Sequence, residues 1–87
     1  MSWHVYILRC SDDSLYCGIT NNLKERLDEH NDRKGAKYTK TRLPVELIYS
    51  EELPDKSSAC KREIEIKGWR REKKEALVAS SSGSRGR

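Results

Sequence analysis

Five side chains of this sequence could together act on a phosphate ester. They are Tyr6, Tyr16, Arg26, His30 and Glu63. The two tyrosines fall in short strand-like runs, the arginine and the histidine share a helix-like segment, and the glutamate lies in a later helix-like segment. The set offers two phenols, a cation, a titratable ring and a carboxylate, which are the kinds of group that phosphodiester hydrolysis needs.

Each of these side chains suits one part of such a reaction. Attack on a phosphodiester builds negative charge on the non-bridging oxygens, and the guanidinium of Arg26 can donate paired hydrogen bonds to them. Glu63 alone can hold Mg²⁺ or Mn²⁺, because Mg²⁺ keeps most of its waters and often uses one or two carboxylates. Tyr6 could take the proton of the attacking water if its pKa falls well below about 10, and His30 is the competing base. Tyr16 would orient the phosphate or the water.

The same residues also have ordinary structural interpretations. The tyrosines could be cross-strand aromatics of a hairpin. His30 could stabilise the C-terminus of its helix, and Glu63 has Lys67 at the spacing of a helical ion pair. Arg26 could pair with an acid at the surface, and its candidate partners are Asp12, Asp13 and Glu29. The joint occurrence of the five residues in one short chain favours the functional interpretation.

Two short runs predict the β-hairpin that positions the tyrosines. Residues 3–8 and 15–20 alternate in polarity, and the Ser-Asp-Asp-Ser segment between them is typical of a turn. Alternation places Tyr6 on the face of the first strand opposite to Ile7. Gly18 in the second strand leaves the backbone open to close approach by another group.

The hairpin is followed by a helix, a loop and a third strand. Asn22 is expected to cap the helix, because Glu25 follows at the spacing of a capping box. Residues 31–42 form a polar, basic loop. Pro44 precedes a predicted strand over residues 45–49, since proline is tolerated where a strand starts.

Two further helices complete the predicted domain. Ser57 or Ser58 can cap the first of them, Gly68 ends or bends it, and the second covers residues 71–78. Residues 80–87 are rich in serine, glycine and arginine, which is typical of a flexible tail.

The predicted order β-β-α-β-α-α gives a single α+β domain over residues 1–79. A chain of 87 residues has room for one domain with a modest core. Its three strands can form only a small, mainly antiparallel sheet flanked by helices. We expect the helices to cover one face and to leave the face of Tyr6 relatively open.

The charge distribution favours a polyanionic partner. The net charge is +4, and residues 33–42 and 67–74 each contain five basic residues against none and one acidic residue. Such segments can neutralise phosphates and release counterions, although a solvated helix face and a lysine-rich loop would look the same. The candidate nucleic-acid contacts are Arg33, Lys34, Lys37, Tyr38, Lys40, Arg42, Lys67, Arg70 and Arg71.

Two residues of the basic loop have two equal interpretations. Tyr38 and Thr39 lie among the lysines, where an aromatic ring can stack on an exposed base or pack on a sugar. The alternative is that Tyr38 closes the loop onto the sheet.

The cysteines and the apolar runs bear on the compartment. Three cysteines without a C-x-x-C pair suggest neither a disulfide framework nor a zinc site, so we expect a reducing compartment. No apolar run approaches the roughly 20 residues of a membrane span, and the N-terminus lacks a signal-peptide pattern. We expect a cytoplasmic protein without a membrane partner, and a monomer.

The sequence resembles the GIY-YIG nuclease superfamily, and within it the small, stand-alone, YhbQ-like bacterial group. The likeness rests on Val5-Tyr6-Ile7, Leu15-Tyr16-Cys17-Gly18-Ile19-Thr20, Asn22-Leu23-x-x-Arg26-Leu27-x-x-His30, Lys37-Tyr38-Thr39…Arg42-x-Pro44 and Arg62-Glu63…Ile66-Lys67. Each piece alone is weak, but five pieces in order over one compact domain are specific.

The resemblance implies an endonuclease that hydrolyses DNA phosphodiesters with one Mg²⁺ or Mn²⁺ ion. It makes Tyr6 and Tyr16 the two motif tyrosines, Arg26 the helix arginine and Glu63 the metal carboxylate, with His30 one helical turn after the arginine. Branched, nicked or duplex DNA is the expected substrate, and a role in repair is compatible with it. The alternatives are a nucleic-acid-binding module of the same fold with little or no cleavage, and a protein-interaction adaptor.

Overall fold

Strands and helices follow one another in the predicted order. A computed structural model describes residues 2–32, 39 and 41–85 of the protein. In these residues the elements are β1 (Trp3–Arg9), β2 (Leu15–Thr20), α1 (Leu23–Asn31), β3 (Glu46–Leu53), α2 (Lys56–Lys67) and α3 (Arg71–Arg85). The order β-β-α-β-α-α and the α+β class are therefore confirmed.

The sheet is antiparallel and has β1 at its centre, in the strand order β2-β1-β3. In this register Tyr6 lies opposite Gly18 of β2 and opposite Ser50 of β3. The predicted hairpin of β1 and β2 is confirmed. Its turn includes Asp13 at φ 70°, in the left-handed region that aspartate tolerates better than most residues.

The two faces of the sheet are both covered. One face, here called the aliphatic face, carries buried Val5 and Ile7, which pack on α2 and α3 through Ala59, Ile66 and Val78.

The opposite face, here called the tyrosine face, carries Tyr6 and Leu8, which are 2% and 1% exposed. Leu23 and Leu27 of α1 pack against this pair, and so do Leu43, Val45 and Leu47. The prediction that the Tyr6 face is relatively open is therefore wrong. The sparse leucine pair of α1 and the segment that leads into β3 together exclude solvent from it.

The helix starts follow capping chemistry, although not always at the predicted residue. Asn22 caps α1 as predicted, since its side-chain oxygen accepts a hydrogen bond from the Glu25 N–H at 3.1 Å. The cap of α2 is Asp55, which accepts from the Ser58 N–H at 2.8 Å. The prediction of a serine cap at 57 or 58 is wrong, because an aspartate in extended conformation was available just upstream.

The later elements run further than the sequence pattern indicated. β3 covers Glu46–Leu53 because it pairs along the whole of β1, whereas alternation had predicted residues 45–49. α2 ends at Lys67 and Gly68 is its C-cap, in agreement with the prediction that Gly68 ends or bends this helix. α3 continues to Arg85 and not only to residue 78. The assignment of residues 80–87 to a flexible tail stays a prediction.

None of the helices in the described ranges has the length and apolar character that crossing a membrane requires.

Candidate active site

The phenol of Tyr6 is held by a glycine on the neighbouring strand. A Cβ atom on Gly18 would stand 2.6 Å from the Tyr6 hydroxyl oxygen and 2.8 Å from its Cζ. No side chain fits there, so the close approach predicted for Gly18 is the contact that lets the Tyr6 ring lie across β2. The ring therefore starts from β1, and its hydroxyl end lies against the backbone of β2 at Gly18.

The Tyr6 hydroxyl belongs to a buried chain of polar groups. Its oxygen lies 3.0 Å from Nε2 of His30, and Nδ1 of the same ring lies 2.8 Å from Oγ1 of Thr39. Both His30 and Thr39 are fully buried. Arg26 donates from Nε to the Tyr6 oxygen at 3.4 Å. β1 and α1 therefore meet at the Tyr6 phenol, and Thr39 joins them through His30.

The surroundings shift the pKa values of the phenol and the imidazole in opposite directions. Burial raises the pKa of Tyr6 above 10.0, and the hydrogen bond from Arg26 opposes this only in part. Burial, followed by the charge of Arg26, lowers the pKa of His30 below 6.5. Both groups are consequently neutral near pH 7. A low phenol pKa, which Tyr6 would need in order to act as a base unaided, is not what this environment produces.

Tyr16 and Arg26 complete the cluster at its more exposed side. The half-buried Tyr16 ring lies 6.4 Å from the ring of Tyr6 and 5.4 Å from that of His30, between ring centres. Arg26 also donates from Nη1 to Glu29 at 3.0 Å, so of its candidate acidic partners Glu29 is the one it contacts. The structure thus joins Tyr6, Tyr16, Arg26 and His30 in one group.

Glu63 belongs to a different set of contacts. It lies on α2, its side chain is 20% exposed, and its carboxylate is 3.2 Å from Nζ of Lys67, the helical pair expected from their spacing. Burial and then the charge of Glu63 raise the pKa of the Cys17 thiol to about 11. Because Cys17 stands between Tyr16 and Gly18 on β2, this carboxylate faces the strand that carries the second tyrosine.

Among the described residues, a metal site at Glu63 would have at most two His, Cys, Asp or Glu ligands. In the described part of the chain, no group of three or more His, Cys, Asp or Glu residues could enclose an ion. The donor set fits Mg²⁺, which tolerates one carboxylate and several waters, better than an ion that needs a protein cage. The neutral Cys17 thiol does not add a soft ligand, since only a thiolate binds metal well.

The predicted nucleic-acid contacts divide into three groups. Arg33, Lys34, Lys37, Tyr38 and Lys40 lie outside the described residues.

Three predicted contacts form ion pairs. Arg42 donates to Asp12, Lys67 pairs with Glu63, and Arg71 pairs with Glu75 and Asp13.

Arg70 is exposed, and it has no ion pair within the described ranges. Exposed ion pairs contribute only about 0–1 kcal/mol, so a phosphate could compete for the paired cations as well.

Sequence reasoning missed two residues that build this site. Thr39 was placed only in the basic loop, yet its hydroxyl contacts His30. The side-chain amide of Asn31 bonds both the N–H and the carbonyl of Val45, at 3.0 and 3.3 Å, and so joins the end of α1 to the start of β3. Neither pair follows a helical or strand spacing, so no periodic pattern could have indicated it.

The family model described as the GIY-YIG catalytic domain matches residues 2–76. The chain belongs to the GIY-YIG family. In this GIY-YIG domain the predicted motif tyrosines, Tyr6 and Tyr16, lie on the central strand and its neighbour, with their ring centres 6.4 Å apart.

Relatives of similar length share about half of its residues. The domain is 50% identical to a UPF0213 protein of Natronomonas pharaonis over 92% of this chain and 94% of that protein. It is 51% identical to a UPF0213 protein of Staphylococcus haemolyticus over 86% of this chain and 92% of that protein. The high coverage on both sides fits a small stand-alone protein, as predicted.

A solved structure shows the same fold. The solution NMR structure of the UPF0213 protein BH0048 from Bacillus halodurans superimposes with a TM-score of 0.62 at 42% identity. The likeness covers 95% of this chain and 88% of that one. The family therefore indicates a nuclease-type domain with a nucleic-acid substrate, and the names of these relatives state no activity.

Proposed function

We propose that this GIY-YIG domain is a metal-dependent endonuclease that hydrolyses DNA phosphodiesters. The observation that supports this most is the buried chain from Tyr6 through His30 to Thr39, with Arg26 beside the phenol. Any buried tyrosine hydroxyl needs a hydrogen-bond partner, but a proton path also needs a partner that can take up a proton, as the neutral imidazole of His30 can.

In the proposed reaction the proton of the attacking water leaves through Tyr6. The phenol oxygen accepts this proton while its own hydrogen passes to Nε2 of His30, which the buried site keeps neutral. The phenol is thus never a free phenolate, and its raised pKa does not oppose the transfer. The water oxygen bonds to phosphorus, and the bond to the leaving oxygen breaks.

Arg26 is suited to the charge that develops on the phosphate. Its Nε–H reaches Tyr6 and one Nη1 hydrogen bond reaches Glu29, which fixes the plane of the guanidinium. Its side chain is 31% exposed, so the other N–H groups are available to the non-bridging oxygens. Glu29 therefore orients the guanidinium of Arg26, which keeps its positive charge.

Glu63 would hold the divalent ion, whose charge would stabilise the leaving 3′ oxygen and the phosphate. Lys67 pairs with this carboxylate, and it is a half-exposed partner that a divalent cation can displace. Lys67 would then be released to contact the DNA backbone together with Arg70, Arg71 and the basic segment 33–42.

The proposed substrate is branched or nicked DNA, including repair intermediates. Contacts from lysine and arginine to phosphates position a duplex and read its shape, but they carry no direct sequence information. We therefore expect weak sequence preference and strong dependence on salt.

The decisive experiment incubates labelled nicked, flapped, junction and plain duplex DNA with Mg²⁺ or Mn²⁺. Arg26→Ala and Glu63→Gln should each reduce the cleavage rate by about 10²-fold or more. Glu65→Gln, on the exposed side of the same helix, is the matched control for the metal carboxylate and should cleave normally. Intact DNA with the wild type, or equal cleavage by all variants, would refute the nuclease proposal.

A second candidate function is DNA binding with little or no cleavage. It is favoured by the ion pair that already neutralises Glu63. This module would bind DNA in a salt-sensitive way without Mg²⁺, and Glu63→Gln would not weaken it. The absence of any salt-dependent DNA binding would leave the protein-interaction adaptor as the remaining alternative.

A further inference from the structure

Thr39 is fully buried, and its hydroxyl lies 2.8 Å from Nδ1 of His30. We propose that Thr39 is a positioning residue, which acts through His30 by accepting the Nδ1 hydrogen and so leaves Nε2 free to receive the Tyr6 proton. The role in catalysis rests on the nuclease function proposed above. The tautomer of His30 does not, and it can be measured separately.

The tautomer follows from the partners of the Tyr6 hydroxyl. Within the described ranges these are Arg26 and His30. A guanidinium has no acceptor, so Arg26 can only donate to the phenol oxygen. The phenol hydrogen must therefore point at Nε2 of His30. In the other tautomer this buried hydrogen would lose its partner, at a cost of about 1–3 kcal/mol.

The other ring nitrogen then carries the hydrogen of the neutral imidazole. At Nδ1 this hydrogen meets the Thr39 oxygen, which can accept because a hydroxyl has two lone pairs. The hydroxyl by itself would tolerate either tautomer. Its function is to make the one that Tyr6 requires fully hydrogen-bonded, since a buried Nδ1–H without an acceptor would also be costly.

The hairpin turn holds Thr39 in place through the backbone. The Arg42 N–H donates to the Thr39 carbonyl at 3.0 Å, and the Ser11 N–H donates to the Arg42 carbonyl at 2.9 Å. Arg42 also donates from Nε to Asp12 at 3.1 Å. Because main-chain bonds provide this support, a change in the Thr39 side chain can remove its hydroxyl while the segment stays attached.

The test is two-bond ¹H–¹⁵N correlation NMR of the imidazoles in wild type, Thr39→Ser and Thr39→Val. The chain has two histidines, so His4 is an internal reference in each spectrum. We expect the Nδ1–H form of His30 in wild type and in Thr39→Ser. Thr39→Val, which replaces the hydroxyl by a methyl group of similar size, should shift His30 towards the Nε2–H form without changing His4.

The proposal is overturned if wild-type His30 carries its hydrogen on Nε2, or if Thr39→Val keeps the Nδ1–H form unchanged. Should Thr39→Val fail to fold, the wild type and Thr39→Ser decide, because the proposal requires Nδ1–H in both.

Cleavage of nicked DNA supplies the catalytic readout. Thr39→Val should lower kcat by about tenfold or more with little change in KM, and Thr39→Ser should restore it to within about threefold of wild type. Equal kcat for Thr39→Val and wild type would end the catalytic part of the proposal. If no form cleaves DNA while the tautomers behave as expected, the nuclease proposal fails and the positioning of His30 by Thr39 stands.

Discussion

The central strand is buried on both faces of the sheet, but the groups that it contacts on the two faces differ in chemistry. On the aliphatic face, Val5 and Ile7 pack in an apolar cluster with Ala59, Ile66 and Val78 of the helices that cover them. On the tyrosine face, the next residue of the same strand, Tyr6, is almost as buried, yet it contacts an imidazole and a guanidinium.

A fully bonded polar network in a dry site is costly to assemble and sensitive to any missing partner. The aliphatic face needs only volume and apolar surface. The difference indicates that one face stabilises the fold while the other is built for chemistry. Mutations on the two faces should therefore separate stability from activity.

The largest effect is expected from removing one oxygen on the tyrosine face. Tyr6→Phe takes away the group that links the attacking water to His30, so the DNA-cleavage rate should fall by about 10²–10⁴-fold. The measurement is single-turnover cleavage of nicked DNA. Tyr49→Phe is the matched control, because this half-buried tyrosine packs against the aliphatic core and its hydroxyl bonds only Glu51 in the described ranges. A comparable loss in the control would remove the distinction between the faces.

On the aliphatic face the expected loss is in stability. Ile66→Ala truncates a fully buried side chain and leaves a cavity, so the free energy of unfolding should fall by about 2–5 kcal/mol. Urea denaturation followed by circular dichroism measures this. Cleavage per folded molecule should stay within about threefold of wild type. A drop in activity much larger than the drop in folded fraction would show that the core also tunes the site.

A substitution of Gly18 tests the close contact between β1 and β2 at the candidate site. In Gly18→Ala the new methyl group would stand 2.6 Å from the Tyr6 hydroxyl oxygen, so the phenol must move. We expect at least a tenfold loss of cleavage and a stability loss of about 1–3 kcal/mol from overpacking. The contact of Tyr6 with His30 can be followed by the imidazole signals. Gly68→Ala is the control, since its Cβ would meet no atom closer than 3.5 Å.

The hairpin and the helix that carry this site could be predicted from the sequence because their signals are local. Alternation indicated the strands, and Asn22 with Glu25 indicated the start of α1. The closure of the tyrosine face could not be predicted, because Leu43 and Leu47 are distant from β1 in sequence and no local pattern brings them to it.

The candidate site residues divide in the same way, into those with local sequence signals and those placed by distant packing. Tyr6, Tyr16, Arg26 and His30 come from adjacent elements, and the structure brings them together. Thr39 contacts His30 across nine residues, a spacing that no helical or strand periodicity describes. Long-range side-chain pairs of this kind are decided by tertiary packing.

The smallest expected effect is the pH dependence of stability that a neutral buried imidazole imposes. Burial and the charge of Arg26 lower the pKa of native His30, and the charge of Glu29 opposes them weakly. The ring also contacts the phenols of Tyr6 and Tyr16 and the hydroxyl of Thr39. Burial raises the pKa of Tyr6 above 10.0, so this phenol is neutral in acid and does not offset the shift.

Below a pH of about 6.5 His30 binds a proton in the unfolded chain, whereas in the native protein it stays neutral down to its lower pKa. The free energy of unfolding should then fall as the pH is lowered towards the native pKa, by at most about 1.4 kcal/mol per pH unit from this residue, and be constant from this source above pH 7. Urea denaturation between pH 5 and 8 measures the slope. His30→Gln should flatten it. An unchanged slope in His30→Gln would mean that the native and unfolded proteins protonate this imidazole alike, so the buried site would not hold it neutral in acid.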